Sequence, residues 1–394
     1  MSATPAPRRL GLLVNPIAGM GGRVALKGTD GAAALAQARA RGAVPIAPER
    51  ARRALAALVR GAGAPGGEGA GLPPLEILAG PGPLGGDLAT AAGVATTTTA
   101  TALDPGRDTS PADTRAAVAE MRERGVELLL FAGGDGTARD ILDAGGAEIP
   151  LVGIPTGVKM HSGVFAATPD AAGTAAAAYL RDPAPTALRE AEIADVDEDA
   201  TRAGRVSTRL YGSARVPRLP SLIVAAKAAS RADGDGDLDA LARALADDLR
   251  RERGRLTLLG PGTSTARVLA HLGVQGGALL GIDAVRDGAL VASDLDERGI
   301  LALLDSARDP RLICGVVGGQ GALFGRGNQQ LSPRVLRRIG RDGIVVIAAA
   351  DKLQQLSPPT LRVDTGDDEL DAELSGYLRV RVAPRHQIVM RVST

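Results

Sequence analysis

Gly133-Gly134-Asp135-Gly136-Thr137 sets one carboxylate among three glycines. Gly133, Gly134 and Gly136 carry no Cβ to hold a phosphate chain away from the backbone, and they leave main-chain N–H groups free to point at it. A carboxylate is not attracted to phosphate, so Asp135 needs another task. The two available are holding a metal and taking a proton from a hydroxyl.

A second group follows close behind. In Gly153-Ile154-Pro155-Thr156-Gly157-Val158-Lys159-Met160-His161-Ser162-Gly163 one proline and three glycines fix a loop. That loop exposes Lys159, His161 and Ser162 beside Asp135, although a lone histidine is as readily a structural residue. Asn15-Pro16-Ile17-Ala18-Gly19-Met20-Gly21-Gly22 is a further glycine-rich turn, with Asn15 and Gly19 as candidate phosphate contacts. It is not a P-loop, since Lys27-Gly28-Thr29 has the wrong order, nor a dinucleotide fingerprint, since Val24 stands where the last glycine is required. Gly260-Pro261-Gly262-Thr263-Ser264-Thr265 offers small hydroxyls at a helix start, a phosphate-type arrangement in which Gly262, Thr263 and Ser264 face the ligand. Gly325-Arg326-Gly327-Asn328-Gln329 is too rich in glycine and polar groups to be packing alone. Asp233-Gly234-Asp235-Gly236-Asp237-Leu238-Asp239 invites a calcium reading and fails it, because Leu238 replaces the loop glycine and Ala244 the bidentate glutamate.

These residues need strands and helices behind them. The apolar stretches Leu10–Val14, Leu75–Ala79, Val126–Phe131 and Ile149–Ile154 read as buried parallel strands, and Val94–Leu103 as another by β-propensity. Helices are expected over 31–41, 49–60, from near Leu84, and from Asp113, as N-cap, to Arg124. The alternation of strand and helix predicts a doubly wound parallel sheet over residues 1–186, with Asp135 just past a strand's carboxyl end, where open α/β sheets bind ligands. From Ala187 alternating polar and apolar residues predict antiparallel strands over Ala191–Val196 and Arg205–Val216. Residues 187–394 therefore form a β-rich C-terminal domain carrying an α/β segment from about 255 to 350. Strands are expected at Arg255–Leu259, Leu279–Asp283, Leu312–Val317 and Gly343–Ala349, and the tail from Thr360 returns to alternation and pairs with the earlier β segment.

Composition removes several classes of function. With 46 basic and 45 acidic residues and no basic block, the chain lacks a nucleic-acid or membrane surface. Aromatic residues are 2% of the chain, so the core must be built from Ala, Val, Leu and Ile. One cysteine, Cys314, forms no internal disulfide, and three histidines argue against a Cys/His metal cluster. Leu10–Val14 is too short for a signal h-region and no apolar run reaches the roughly 18 residues of a membrane helix, so a cytoplasmic protein is expected.

The turn around Asp135, with Asn15-Pro16 before it and Gly153-Ile154-Pro155 after it, resembles the superfamily of NAD kinases, diacylglycerol kinases and sphingosine kinases. Gly157–Ser162, Gly260–Thr263, Gly325–Gln329 and Arg362-Val363-Asp364-Thr365-Gly366-Asp367 extend the likeness to nearly the whole chain. Together they resemble the prokaryotic ATP-NAD kinase family, which includes the acetoin-catabolism protein X. The resemblance implies transfer of a phosphoryl group from ATP or polyphosphate to the 2′-hydroxyl of NAD, with Mg²⁺ accompanying ATP and Asp135 as general base. It implies that Thr137, Gly157, Lys159, His161 and Ser162 join the nucleotide site, that Arg326, Asn328 and Asp364 contact substrate, and that the protein is a homo-oligomer. No resident metal ligand is assigned. One departure bears on the acceptor: the Asn-Glu pair typical of NAD kinases is missing, and Glu192, Asp195 and Asp197 are the nearby acids that could replace it. Two other readings keep part of this chemistry. One is a kinase of a lipid or polyol, the other a non-catalytic nucleotide-binding accessory or regulatory protein of a catabolic operon.

Overall fold

A computed structural model describes residues 6–26, 31–62, 73–104, 106–157, 160–196, 208–219, 222–223, 235–274, 281–317, 321–356 and 358–394. The chain forms two compact units, Met1–Gly19 with Val44–Lys227, and Met20–Ala43 with Ala228–Thr394.

In the first unit β1 (Arg8–Val14), β2 (Leu75–Ala79), β3 (Thr96–Thr98), β4 (Leu128–Gly133) and β5 (Leu151–Pro155) form an all-parallel sheet in the order β3-β2-β1-β4-β5. Every residue of β4 and β5 is buried, as expected of central parallel strands covered on both faces. The chain steps outward from β1 to β3 and then crosses back to lay β4 against β1. The order therefore reverses between β1 and β4, and a crevice opens at their carboxyl ends. Register pairs Val14 with Ala132, so Asn15 and Gly133 leave the sheet side by side.

Helix α1 (Ala32–Ala40) belongs to the second unit, whereas α2 (Ala47–Ala62), α3 (Gly86–Ala91), α4 (Pro111–Glu123), α5 (Asp135–Asp143) and α6 (Pro169–Arg181) cover the parallel sheet. Helices α2, α3 and α6 share one face, and α4 and α5 take the other. The scarcity of aromatics is met by close approach: a Cβ on Gly173 of α6 would lie 2.0 Å from the Ala54 carbonyl of α2. Where the core does use rings, Phe131 and Phe165 meet at 5.5 Å, and Gly153 of β5 makes the room for them. The start of α4 differs from expectation. Ser110 is its N-cap, Pro111 its first residue, and Asp113 returns a bond to the Ser110 amide at 2.7 Å, completing a capping box.

The strands β6 (Leu188–Val196) and β7 (Thr208–Pro217) pair antiparallel, as their alternation predicts. They form a two-stranded sheet of their own and do not join the tail. Ala191, Ile193, Ala214 and Val216 bury their apolar face in the first unit's core, which holds the hairpin there.

The second unit carries one mixed sheet: β8 (Thr257–Leu259), β9 (Ile282–Arg286), β10 (Ala289–Leu295), β11 (Arg311–Gly315), β12 (Ala322–Phe324), β13 (Ile344–Ile347), β14 (Thr360–Val363), β15 (Gly376–Ala383) and β16 (His386–Ser393). Their order is β10-β9-β8-β11-β13-β15-β16-β14-β12. The run β8-β11-β13-β15 is parallel, and hairpins β9/β10 and β15/β16 bring the antiparallel pairs. Leu238, Leu241, Leu245 and Leu249 seat the helix Asp235–Arg251 on this sheet, so Asp235–Asp239 begins a helix; Asp233 and Gly234 lie outside the described residues. Strands β10 and β12 and the helices Glu297–Leu304, Pro333–Ile339 and Asp368–Leu374 were not expected from the sequence.

Candidate active site

The crevice between β1 and β4 is built from main chain. Gly134, extended at φ −112°, is the N-cap of α5, which makes Asp135 the first helical residue. One turn in, the buried Thr137 hydroxyl accepts a bond from Asn15 Nδ2 at 3.0 Å, tying the β1 exit to the helix start. The Asn15 main-chain N–H is bonded to the Ala132 carbonyl at 2.9 Å. Gly19 comes so close to the β5 exit, at φ +77°, that a Cβ there would sit 2.0 Å from the Thr156 carbonyl oxygen. Three strand exits are thereby drawn into one turn cluster.

The glycines divide by purpose. A Cβ on Gly133 would meet the Thr137 side chain at 2.5 Å, so packing alone requires that glycine. A Cβ on Gly134 would meet only the Gly157 Cα, at 3.8 Å. Gly134 and Gly157 thus approach each other through bare main chain, with the Met160 side chain 3.0 Å from where a Gly157 Cβ would stand. Gly136 is the second residue of α5 and half-buried.

Asp135 is 5% exposed, and both of its oxygens are held by backbone. The His161 amide donates to Oδ2 at 2.6 Å and the Ser162 amide to Oδ1 at 3.0 Å. Ser162 is itself anchored: its hydroxyl donates to the Ala194 carbonyl at 2.9 Å and accepts from the Ala194 amide at 3.1 Å. Burial pushes the Asp135 carboxyl up to about 6; the bonds from Ser162 and His161 oppose this, and the negative charge of Asp195 adds to it. A carboxylate in that range changes protonation close to neutrality, as a general base needs. His161 therefore enters the site through its main-chain N–H. Lys159 and Asp197 lie outside the described residues.

Sequence reasoning missed several groups of this site. Thr156, 2% exposed, has a hydroxyl with no hydrogen-bond partner among the described residues. Arg139, one turn along α5 from Asp135, pairs with Asp195 at 3.3 Å and lies over the Tyr211 ring. The i, i+4 spacing of Asp135 and Arg139 was the available signal for the arginine. Of the acids considered as replacements for the missing pair, Asp195 is half-buried and coupled to Asp135, while Glu192 is exposed and uses its carbonyl to bind the Gly163 amide at 2.8 Å.

The candidates in the second unit fall into two groups. Gly262, at φ +120°, is the N-cap of the helix Thr263–His271; Thr263 is exposed and Ser264 half-buried. The Thr265 hydroxyl closes this loop onto the Gly260 and Gly262 carbonyls at 2.5 and 3.0 Å. The other group lies at β12 and β14, with β11, β13, β15, β16 and β14 standing between β12 and β8. There the Asn328 side chain accepts from the Gly325 amide at 3.2 Å and donates to the Leu323 carbonyl at 2.7 Å. Asn328 is 1% exposed, Arg326 and Asp364 are buried with it, and Gly325 needs its φ of +86° to clear Asp364. This second cluster shapes a loop from within. Among the described residues no group of three or more His, Cys, Asp or Glu could hold a metal ion, and no helix is long and apolar enough to cross a membrane.

Residues 10–184 match the model of the ATP-NAD kinase N-terminal domain, and residues 256–392 that of the ATP-NAD kinase C-terminal domain. The chain belongs to the ATP-NAD kinase family. The N-terminal match contains the parallel sheet from Leu10 onward together with Asn15, Asp135 and Ser162, so the kinase fold and the Asp135 crevice fall within one matched domain. The C-terminal match spans β8 to β16 up to Val392. No curated relative and no solved structure matches the chain. The ATP-NAD kinase family is one of phosphotransferases, and the fold subserves that class of reaction here.

Proposed function

We propose that this ATP-NAD kinase family member transfers the terminal phosphoryl group of ATP or polyphosphate to the 2′-hydroxyl of NAD, giving NADP. The observation that carries the reading is Asp135, a buried carboxyl brought near neutrality and aimed by two consecutive amides at the switch point of a parallel sheet. In the reaction the 2′-oxygen forms a bond to the terminal phosphorus, the bond from that phosphorus to the bridging oxygen breaks, and the shortened donor leaves. The hydroxyl proton passes to Asp135. Gly134 and Gly157 admit the phosphates, and positioning with electrostatics supplies most of the acceleration in such transfers.

The donor arrives as its magnesium complex. Magnesium is commonly held by one or two carboxylates together with substrate phosphates. It neutralises donor charge. What the chain itself supplies is the base, the amides that orient it and a crevice edged by glycine main chain.

The test is incubation with NAD and MgATP, following NADP with an NADP-specific dehydrogenase. Asp135→Asn should lose at least about 10²-fold in rate, the scale of a missing general base. Nucleotide binding without NADP formation, from ATP and from polyphosphate alike, would sink the reading.

A further inference from the structure

Beside the Asp135 crevice the β6–β7 hairpin holds a cluster that the phosphoryl transfer does not use. The Arg139 guanidinium lies 5.2 Å from the centre of the Tyr211 ring, and Arg209 lies 5.4 Å from the same centre. Asp195 pairs with Arg139 at 3.3 Å. Arg209 is exposed and forms no ion pair or hydrogen bond among the described residues, although register places Asp195 directly across the hairpin from it. Arg139 is answered by Asp195, with Asp140 beside it, so Arg209 is the cation of this cluster left for a bound anion.

The cluster is also fixed to the base. Register pairs Ile193 with Gly212 and Ala194 with Leu210, which makes Tyr211 the extra residue of a β-bulge. Bulges re-aim a side chain and recur beside active sites. Ala194, opposite the bulge, is the residue whose amide and carbonyl bind the Ser162 hydroxyl, and the Ser162 amide binds Asp135. A continuous set of bonds thus runs from the base to the strand that carries Asp195. On the other side Arg139 stands four residues after Asp135 on α5, on the same helix face.

We infer that Arg209, Tyr211 and Arg139 hold the diphosphate of the acceptor. The inference rests on the proposed function and adds to it the residues that would bind the acceptor's phosphates. A planar guanidinium matches phosphate in a bidentate, charge-assisted fashion, whereas a neutral polyol offers an arginine only uncharged hydroxyl acceptors. The same oxyanion chemistry exists on the donor. The cluster is assigned to the acceptor because it is linked to Asp135, which must meet the acceptor hydroxyl, while the donor phosphates are assigned to the glycine main chain around Gly134.

The test uses the full chain with Arg209→Ala, Arg209→Lys and Tyr211→Ala, varying NAD and MgATP separately. Loss of a charge-assisted bond predicts a KM for NAD raised at least about tenfold in Arg209→Ala. Partial recovery is expected in Arg209→Lys, an intermediate rise in Tyr211→Ala, and an unchanged KM for MgATP in all three. An unchanged KM for NAD, or a rise confined to MgATP, overturns the inference. Should the wild type form no NADP, calorimetric titration separates the two failures. ADP-ribose should then bind wild type at least about tenfold tighter than Arg209→Ala, with adenosine affinity equal in both. Equal ADP-ribose affinities, or no ADP-ribose binding at all, overturn it.

Discussion

The main-chain amide of His161 donates to Asp135 Oδ2 at 2.6 Å, and the next amide along the chain takes the other oxygen. Two consecutive main-chain amides hold the base, with the Ser162 hydroxyl acting on it as well, so substitution of the His161 imidazole leaves the His161 contact in place. The cost of the arrangement is burial, which raises the carboxyl to about 6 from an ordinary 3.8.

A raised carboxyl has two consequences with definite signs. The folded state binds the proton more tightly than the unfolded state, so the stability that Asp135 contributes is complete below about pH 4 and is lost as pH rises through about 6. The difference is of the order of 3 kcal/mol. Urea midpoints of wild type and Asp135→Asn should therefore shift relative to one another between pH 4 and pH 7, with wild type losing ground at the higher pH. On the kinetic side, kcat/KM for NAD should fall tenfold per pH unit on the acid side of about 6. A profile flat down to pH 5 would rule out the carboxyl as the base.

Two adjacent glycines make a sharper test of the crevice. Gly134→Ala introduces a methyl group whose nearest neighbour is the Gly157 Cα at 3.8 Å, and its φ of −112° suits any residue. We expect a stability within about 1 kcal/mol of wild type and a KM for MgATP raised at least tenfold, because the methyl fills space kept for phosphate. Gly133→Ala drives a methyl to 2.5 Å of the Thr137 side chain and should cost about 2 kcal/mol or more in thermal unfolding. If Gly134→Ala leaves the KM for MgATP unchanged, the gap is not the donor path.

Much of this site was legible before any coordinates, because its parts are contiguous in the chain. The six-residue apolar strand, the glycine turn and the helix after it announce Asp135 by themselves, and strand–helix alternation implies the parallel sheet. What could not be read was the company Asp135 keeps. Ser162 reaches Ala194 thirty-two residues on, and Arg139 reaches Asp195 at fifty-six, pairings set by packing of a hairpin that local pattern cannot place. Strand β10 hid because most of its residues are exposed at a sheet edge, and β12 because three residues inside a glycine-rich stretch carry no period. The helices starting after Asp296, Ser332 and Asp367 did leave a signal, since each of those residues caps its helix through the side chain.

Two glycines far apart in the chain are held by close approach combined with positive φ. Gly19→Ala would place its Cβ 2.0 Å from the Thr156 carbonyl oxygen, and Gly325→Ala 1.7 Å from that of Asp364. Each combines a left-handed backbone with a clash against main chain that cannot move aside as a side chain can. Both should lower stability by about 2 kcal/mol or more, measured by denaturant unfolding. The two variants differ in what else they disturb. Gly19→Ala should also reduce NADP formation in the fraction that folds, because it spreads the turn next to Gly157. A Gly19→Ala protein with wild-type stability would show that the two strand exits do not meet.

Cys314 lies in β11, 1% exposed, against Gly260 just past β8, where a Cβ would approach the cysteine Cβ at 3.1 Å. Burial pushes its thiol up to about 12, so the reactive thiolate is absent at neutral pH and reagent has no path to it. In the native protein a disulfide-exchange reagent should label it only as fast as the second unit opens, with full labelling within seconds once the chain is unfolded in denaturant. NAD and ATP bound in the first unit would protect Cys314 only if opening of the second unit is linked to ligand binding. The labelling rate with and without nucleotide therefore measures that linkage directly. Rapid labelling of native protein at the rate of a free thiol would contradict the burial of β11.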